Sequence, residues 1–170
     1  MSNWVKRGAG GICFVLMMVA PGLGREQALP KRDHLTEKEV ALVREYQELD
    51  LRVEVFLRAA QRRLLVLTNP QAVQKKKEEE LWGPLPTGSQ IELLRDYLRI
   101  LEELEEKLDD ALNLDPRNPL LKKALKKAKE GAASHLPELR SIAPRLAGRP
   151  EQKALALAVE EAERVAAASF

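Results

Sequence analysis

The sequence predicts an all-α protein: an elongated bundle of three long helices plus a shorter C-terminal helix, after an N-terminal signal peptide. Three observations carry this. Apolar residues recur at three- and four-residue steps over long stretches, the period of a helix that turns one face to a core. Ala, Leu, Glu, Lys and Arg dominate while Gly and β-branched residues are sparse, a usage that favours helices over a sandwich, barrel or doubly wound sheet. The 170 residues, 45% apolar and 32% charged, suffice for one globular domain with an appendage.

The appendage comes first. Lys6 and Arg7 give a positive start, and Ala9 to Ala20 form an apolar run shorter than the roughly 20 residues a membrane span needs. Pro21 breaks it, and Gly22 and Gly24 supply the small side chains a signal peptidase wants before a cut after Gly24. Residues 1–24 therefore read as a signal peptide, 25–35 as a polar leader, and 36–168 as a single helical-bundle domain. Left uncleaved, the segment would be an anchor, the one membrane contact expected. Cleavage removes two cations and the only cysteine, Cys13, and leaves equal numbers of basic and acidic side chains. A neutral chain lacks the positive field that nucleic-acid binders use, so nucleic acid is not an expected partner. Without disulfides, packing alone must hold the domain.

The first helix starts at Thr36, which stands three residues before Glu39 in the capping-box spacing, with Leu35 placed as a hydrophobic staple. Leu42, Tyr46, Leu49, Val53, Phe56, Ala60, Leu64 and Leu67 then form one stripe, and the pattern predicts a single long helix of about nine turns ending at Asn69-Pro70. Residues 70–80 include the block Lys75 to Glu80, consistent with one short, solvated helix. Residues 81–88, with two prolines and two glycines, predict an irregular loop whose Trp82 either packs over the bundle or binds something.

Ser89 can cap the second long helix, with a stripe of Ile91, Leu94, Leu98, Leu101, Leu108 and Leu112. A compact turn at Asn113 to Pro119 lets Asn118 cap the third, with Pro119 at its first position. Its stripe runs from Leu121 to Leu146, and Pro137 and Pro144 predict a kink or a break near Ser134 to Leu136. Gly148 closes this helix, and Pro150 opens a fourth with a thin stripe of Leu155, Ala158, Ala162, Val165 and Ala166.

The turn Leu114-Asp115-Pro116-Arg117-Asn118, with its flanks from Leu108 to Ala128, resembles the junction between successive tetratricopeptide repeats. The resemblance implies a helix-turn-helix there and nothing wider, because no second copy stands at the family's 34-residue offset and its Trp, Leu-Gly, Tyr and Phe positions are unmatched. Around this turn the charges are segregated. Glu102, Glu103, Glu105, Glu106, Asp109 and Asp110 crowd the end of the second long helix, and Lys122, Lys123, Lys126, Lys127 and Lys129 the start of the third. Both runs oppose their own helix dipoles, so an antiparallel hairpin pairing acidic half with basic half is expected.

Little catalytic chemistry is visible. The two histidines, His34 and His135, and the absence of cysteine outside the apolar run leave no usual zinc set. The chain has no nucleophile elbow, phosphate loop or paired-cysteine motif, and the acidic cluster lacks the alternating loop of an EF-hand. Neither catalytic residues nor a cofactor is expected.

What remains is a second arc on the first helix, formed by Leu51, Val55, Ala59 and Val66 and flanked by Arg52, Arg62 and Arg63. Either the arginine stems cover it with their charges wet, or the fourth helix or the Trp82 segment packs on it, or a partner does. Leu51, Val55, Val66 and Trp82 are the candidate interaction surface. The functional expectation is an exported, periplasmic or secreted, non-enzymatic scaffold that meets an unknown protein or a second copy of itself. The alternative is a periplasmic small-ligand or metal-binding protein using a cleft near Trp82.

Overall fold

The computed structural model describes residues 33–168, and the expected signal peptide and most of the leader lie outside them. The described residues are all-helical: α1 (Glu37–Glu45), α2 (Leu49–Thr68), α3 (Lys76–Trp82), α4 (Gln90–Leu114), α5 (Pro119–Ile142) and α6 (Arg149–Ala167), with one 3-10 turn at Ala143–Arg145. The expected caps are present. Thr36 and Ser89 both form capping boxes, with Glu39 and Glu92, and Asn118 caps α5 with Pro119 in its first turn.

Two expectations about these elements are corrected. The first long helix is two helices, since Tyr46 and Glu48 are extended and Arg52 Nε donates to Tyr46 O at 3.1 Å across the break. The stripe continues through residues 46–48 because both halves bury the same face, so periodicity did not register the reversal. In the other direction, α5 runs unbroken past Pro137. Pro137 and Ala133 are both exposed, so the carbonyl that the proline leaves unpaired faces water. The helix ends instead at Ile142, where Pro144 sits in the 3-10 turn.

Both α2 and α6 pack against α4 and α5, while α4 and α5 touch each other little; the order around the core is α2, α4, α6, α5. α2 and α5 run parallel. Their pairs rise together from Asp50 with Lys123 and Lys127, through Leu57 against Gly131, to Gln61 with Glu138 and Thr68 with Arg145. A methyl group on Gly131 would stand 2.4 Å from Leu57 Cδ1, so the absence of a side chain there gives Leu57 room in its present rotamer. Phe56, Ala60 and Leu64 of α2, Leu94, Leu101 and Leu104 of α4, Ala128 and Leu139 of α5, and Ala158 and Ala162 of α6 fill the centre, each 1% exposed or less. The alanines of α5 and α6 let these helices approach closely.

This arrangement overturns the expected charge pairing between the second and third long helices. Because α4 and α5 are diagonal, the lysines of α5 turn to α2, where Lys123 and Lys127 Nζ each reach Asp50 Oδ2 at 2.7 Å and Lys127 also pairs with Glu54. On the acidic side, Glu105 of α4 meets Arg164 of α6 at 2.6 Å. Asp50 is covered by the lysines that it binds, and their hydrogen bonds hold its carboxyl down at about 2.

One polar pair crosses the core. Tyr97 of α4 and His135 of α5 meet edge to face, with ring centroids 5.7 Å apart and Tyr97 Oη 3.2 Å from His135 Nδ1. Burial pulls the imidazole down to about 4 and pushes the Tyr97 phenol up. The unfolded imidazole takes a proton near 6.5 that the folded one refuses, so between those values the unfolded state binds more protons and stability falls as pH drops. The His135 contribution should be fully present above pH 6.5 and cost about 3 kcal/mol of stability by pH 4. Urea unfolding of wild type and His135→Phe across that window separates the imidazole from the carboxylates: the variant should show a flatter pH slope, and identical slopes would count against a buried neutral imidazole.

Candidate interaction site

The second face of α2 is covered from within, by α1 and the Trp82 segment, and a buried charge cluster makes the joint. Glu39 of α1 is wholly buried, and its Oε1 accepts from Arg62 Nη1 at 2.6 Å and Arg63 Nη1 at 2.5 Å. Its Oε2 accepts the Thr36 backbone N–H at 2.8 Å, so one carboxylate both caps α1 and neutralises α2. The terminal guanidinium nitrogens also donate to carbonyls, Arg62 to Trp82 O, Gly83 O and Pro84 O and Arg63 to Ala59 O and His34 O, while the Nε of each arginine is buried without a partner among the described residues. Desolvation lowers the Arg62 pKa, opposed mainly by the charge of Glu39. Of the alternatives for this face, the one in which Arg62 and Arg63 keep their charges wet is overturned; they are 2% and 1% exposed. The last leader residues are also docked, with Leu35 buried and His34 Nε2 2.7 Å from Glu103 Oε2.

Arg62 also lies over the Trp82 ring, its Cζ 5.8 Å from the centroid, within cation–π range. Gly83 terminates α3 with φ +71°, in the left-handed region, and a Cβ there would come 3.0 Å from Lys38 Cγ. The positive φ of the turn is what calls for glycine here. On the outer side, Arg58 of α2 pairs with Glu78 of α3 at 2.5 Å. Trp82 is in this way fixed from both flanks.

Three of the four residues singled out in the sequence come together. Leu51, Val55 and Trp82 line one open hollow of about 440 Å³ with Tyr46, Glu54 and Arg58. Val55 is 4% exposed and forms the floor, while Leu51, Trp82 and Tyr46 are half-buried. Val66 is not part of it and packs against the main core. Sequence reasoning missed Tyr46 as a site residue, having placed it in the core stripe of an unbroken helix, and it missed Glu39 as the group that seats the whole assembly. The signal for Glu39 was present in its capping-box position, but nothing local announced its partners 23 and 24 residues on.

The hollow offers apolar contact, two aromatic rings, and one charge of each sign. Among the described residues no cluster of three His, Cys, Asp or Glu side chains could hold a metal ion, and no helix is long and apolar enough to cross a membrane. The chain matches no family model, no curated protein and no solved structure.

The cluster is testable. Replacing Glu39 by Gln leaves two buried guanidinium groups without their counter-charge and should destabilise the domain by about 3–5 kcal/mol. Replacing Glu39, Arg62 and Arg63 together by Met should cost much less, because the unpaired charges go as well. Chemical denaturation of both variants decides this; equal losses would mean that the ion pairs do not govern the joint.

Proposed function

We propose that this chain is an exported, non-enzymatic interaction protein and that the Trp82 hollow is where its partner docks. The observation that carries the binding half is the placement of two half-buried aromatics, Tyr46 and Trp82, beside Leu51 and over Val55, with Glu54 and Arg58 at the edge. An apolar centre with a charged rim is the anatomy of protein interfaces, and Tyr, Trp and Arg are the residues that most often dominate their energetics. The rigid seating of Trp82 adds to this, because an anchor already held in place loses little freedom on binding. The partner would present an aliphatic or aromatic side chain to the hollow. A small apolar ligand is the second reading, favoured by one fact: about 440 Å³ lies within the usual size of ligand pockets.

A photo-crosslinking residue at Leu51 in the native host should yield one discrete adduct that a crosslinker at the exposed Lys153 does not. Loss of Trp82 as an anchor should cost about 2 kcal/mol, roughly 30-fold in affinity, so Trp82→Ala should remove the adduct while leaving the helical circular dichroism intact. Equal adducts from both positions would remove the hollow from consideration. A change in Trp82 fluorescence with small apolar compounds alone, and no protein adduct, would favour the ligand reading.

Export is supported by the basic start, the short apolar run and the Gly22/Gly24 pair. Protein recovered outside the cytoplasm should have the intact mass of a chain beginning at Arg25. A full-length mass confined to the membrane fraction would replace cleavage with anchoring.

A further inference from the structure

The link between α2 and α3, residues 69–75, has the form that an endoprotease binds in a substrate. Asn69, Gln71, Val73 and Lys75 are exposed, and Val73 is 92% so. After a turn in which the Ala72 N–H donates to Asn69 O, the chain runs on without backbone bonds. Among the described residues the N–H groups of Val73, Gln74, Lys75, Lys76 and Lys77 and the carbonyls of Ala72, Val73 and Gln74 meet no partner. An exposed, unpaired, extended backbone can add to a protease cleft as a strand adds to a sheet edge, and exposed connecting segments are where nicking concentrates. Lys75 at the end of this run is itself extended, with φ −67° and ψ 141°, and the next two residues are also lysines.

This combination stands at one place. Of the described lysines and arginines only Lys75 and Arg117 lie outside a helix or the 3-10 turn, and Arg117 sits in a tight turn where its N–H donates to Asp115 Oδ1 at 3.0 Å. The chain on either side of Lys75 is held separately. Before it, α2 is packed between α4 and α5; after it, Arg58 pairs with Glu78, and Arg62 donates to the carbonyls of Trp82, Gly83 and Pro84. We propose that residues 69–75 are a processing site, where an endoprotease with an acidic pocket for lysine cuts the folded protein after Lys75. The Lys75–Lys76 C–N bond breaks, the oxygen of one water goes to the Lys75 carbonyl carbon and both its protons end on the Lys76 nitrogen, giving a carboxylate and an ammonium. The product is a two-chain protein in which α1 and α2 stay assembled with α3 to α6. The site shares no residue with the lining of the Trp82 hollow, and the inference stands independently of that reading.

Brief digestion of the full chain with a trace of trypsin, read by intact mass, should give a piece beginning at Lys76 before any other cut within residues 33–168. Cuts within residues 1–32 shorten only the other piece and leave this marker unchanged. The two pieces should run together on gel filtration and keep the helical circular dichroism of the uncut chain. Lys76→Pro should slow the cut by at least about tenfold without disturbing the fold, since proline suits the first position of α3 and the extended Lys75 suits a residue before proline, while the bond becomes unfit for the protease. A core change separates cutting of the folded chain from cutting after unfolding. Ile100 is wholly buried in α4, and Ile100→Val should leave the rate at Lys75 unchanged, whereas a route through the unfolded chain would run about fivefold faster. A first cut elsewhere within residues 33–168, pieces that separate, a Lys76→Pro chain cut as fast as wild type, or a rate that rises in Ile100→Val would each overturn the proposal.

Discussion

A single carboxylate sets the architecture of half this molecule. Glu39 is buried against two guanidinium groups that are also buried, and charges taken out of water are costly unless they are paired with an opposite charge and hydrogen-bonded. Meeting that condition requires α1 to fold back on α2. In one continuous helix, residues 39 and 62 would be about 35 Å apart at 1.5 Å per residue. The same condition requires carbonyls for the outer guanidinium protons, and the chain supplies them from Trp82, Gly83 and Pro84 on one side and from His34 on the other. The break at residues 46–48, the seating of α3 and the docking of the leader's end are thus consequences of one neutralisation.

α2 is in this sense a two-faced helix. Its main stripe, with Ala59, belongs to the bundle core with α4, α5 and α6, while Val55 of its second face lies in the hollow with Trp82, and the two arginines bond to Glu39 of α1 and, from Arg62, to the Trp82 segment. The joint does not close completely. Where α1 ends and α2 begins, Tyr46 and Leu51 face Trp82 across an open hollow, which is why the candidate site stands at this seam and not on a bundle surface. The guanidinium of Arg62 lies beneath Trp82, and the Arg58–Glu78 pair stands outside it.

The bundle itself follows a different constraint. A four-residue turn joins α4 to α5, yet the two helices stand diagonally, and alanines at 128, 132, 158 and 162 allow α6 to pack against α5. Diagonal placement sends Lys123 and Lys127 of α5 to Asp50 and Glu54 of α2. It also puts Tyr97 opposite His135 across the core, a polar contact that requires a neutral imidazole.

Much of this was legible locally. Thr36, Ser89 and Asn118 announced their helices because a cap is made by residues within one turn, and the core stripes of α2, α4 and α6 were readable because the helical period carries burial along a single element. The three-residue break at Tyr46 to Glu48 was not, since no proline or glycine marks it and the apolar stripe stays in phase across it. Leu51, Val55 and Trp82 were recognisable as surplus apolar residues, but their meeting with Tyr46 depends on that break. Arg62 and Arg63 look like surface residues by type, because burial of a charge depends on its partners and those partners stand 20 to 29 residues away. By itself, then, the sequence determined where helices begin and end and which face of each is apolar, for these depend on neighbours within a few residues. Only the tertiary structure decided which faces meet and where charges find their opposites, because electrostatic and packing partners are chosen by distance in space.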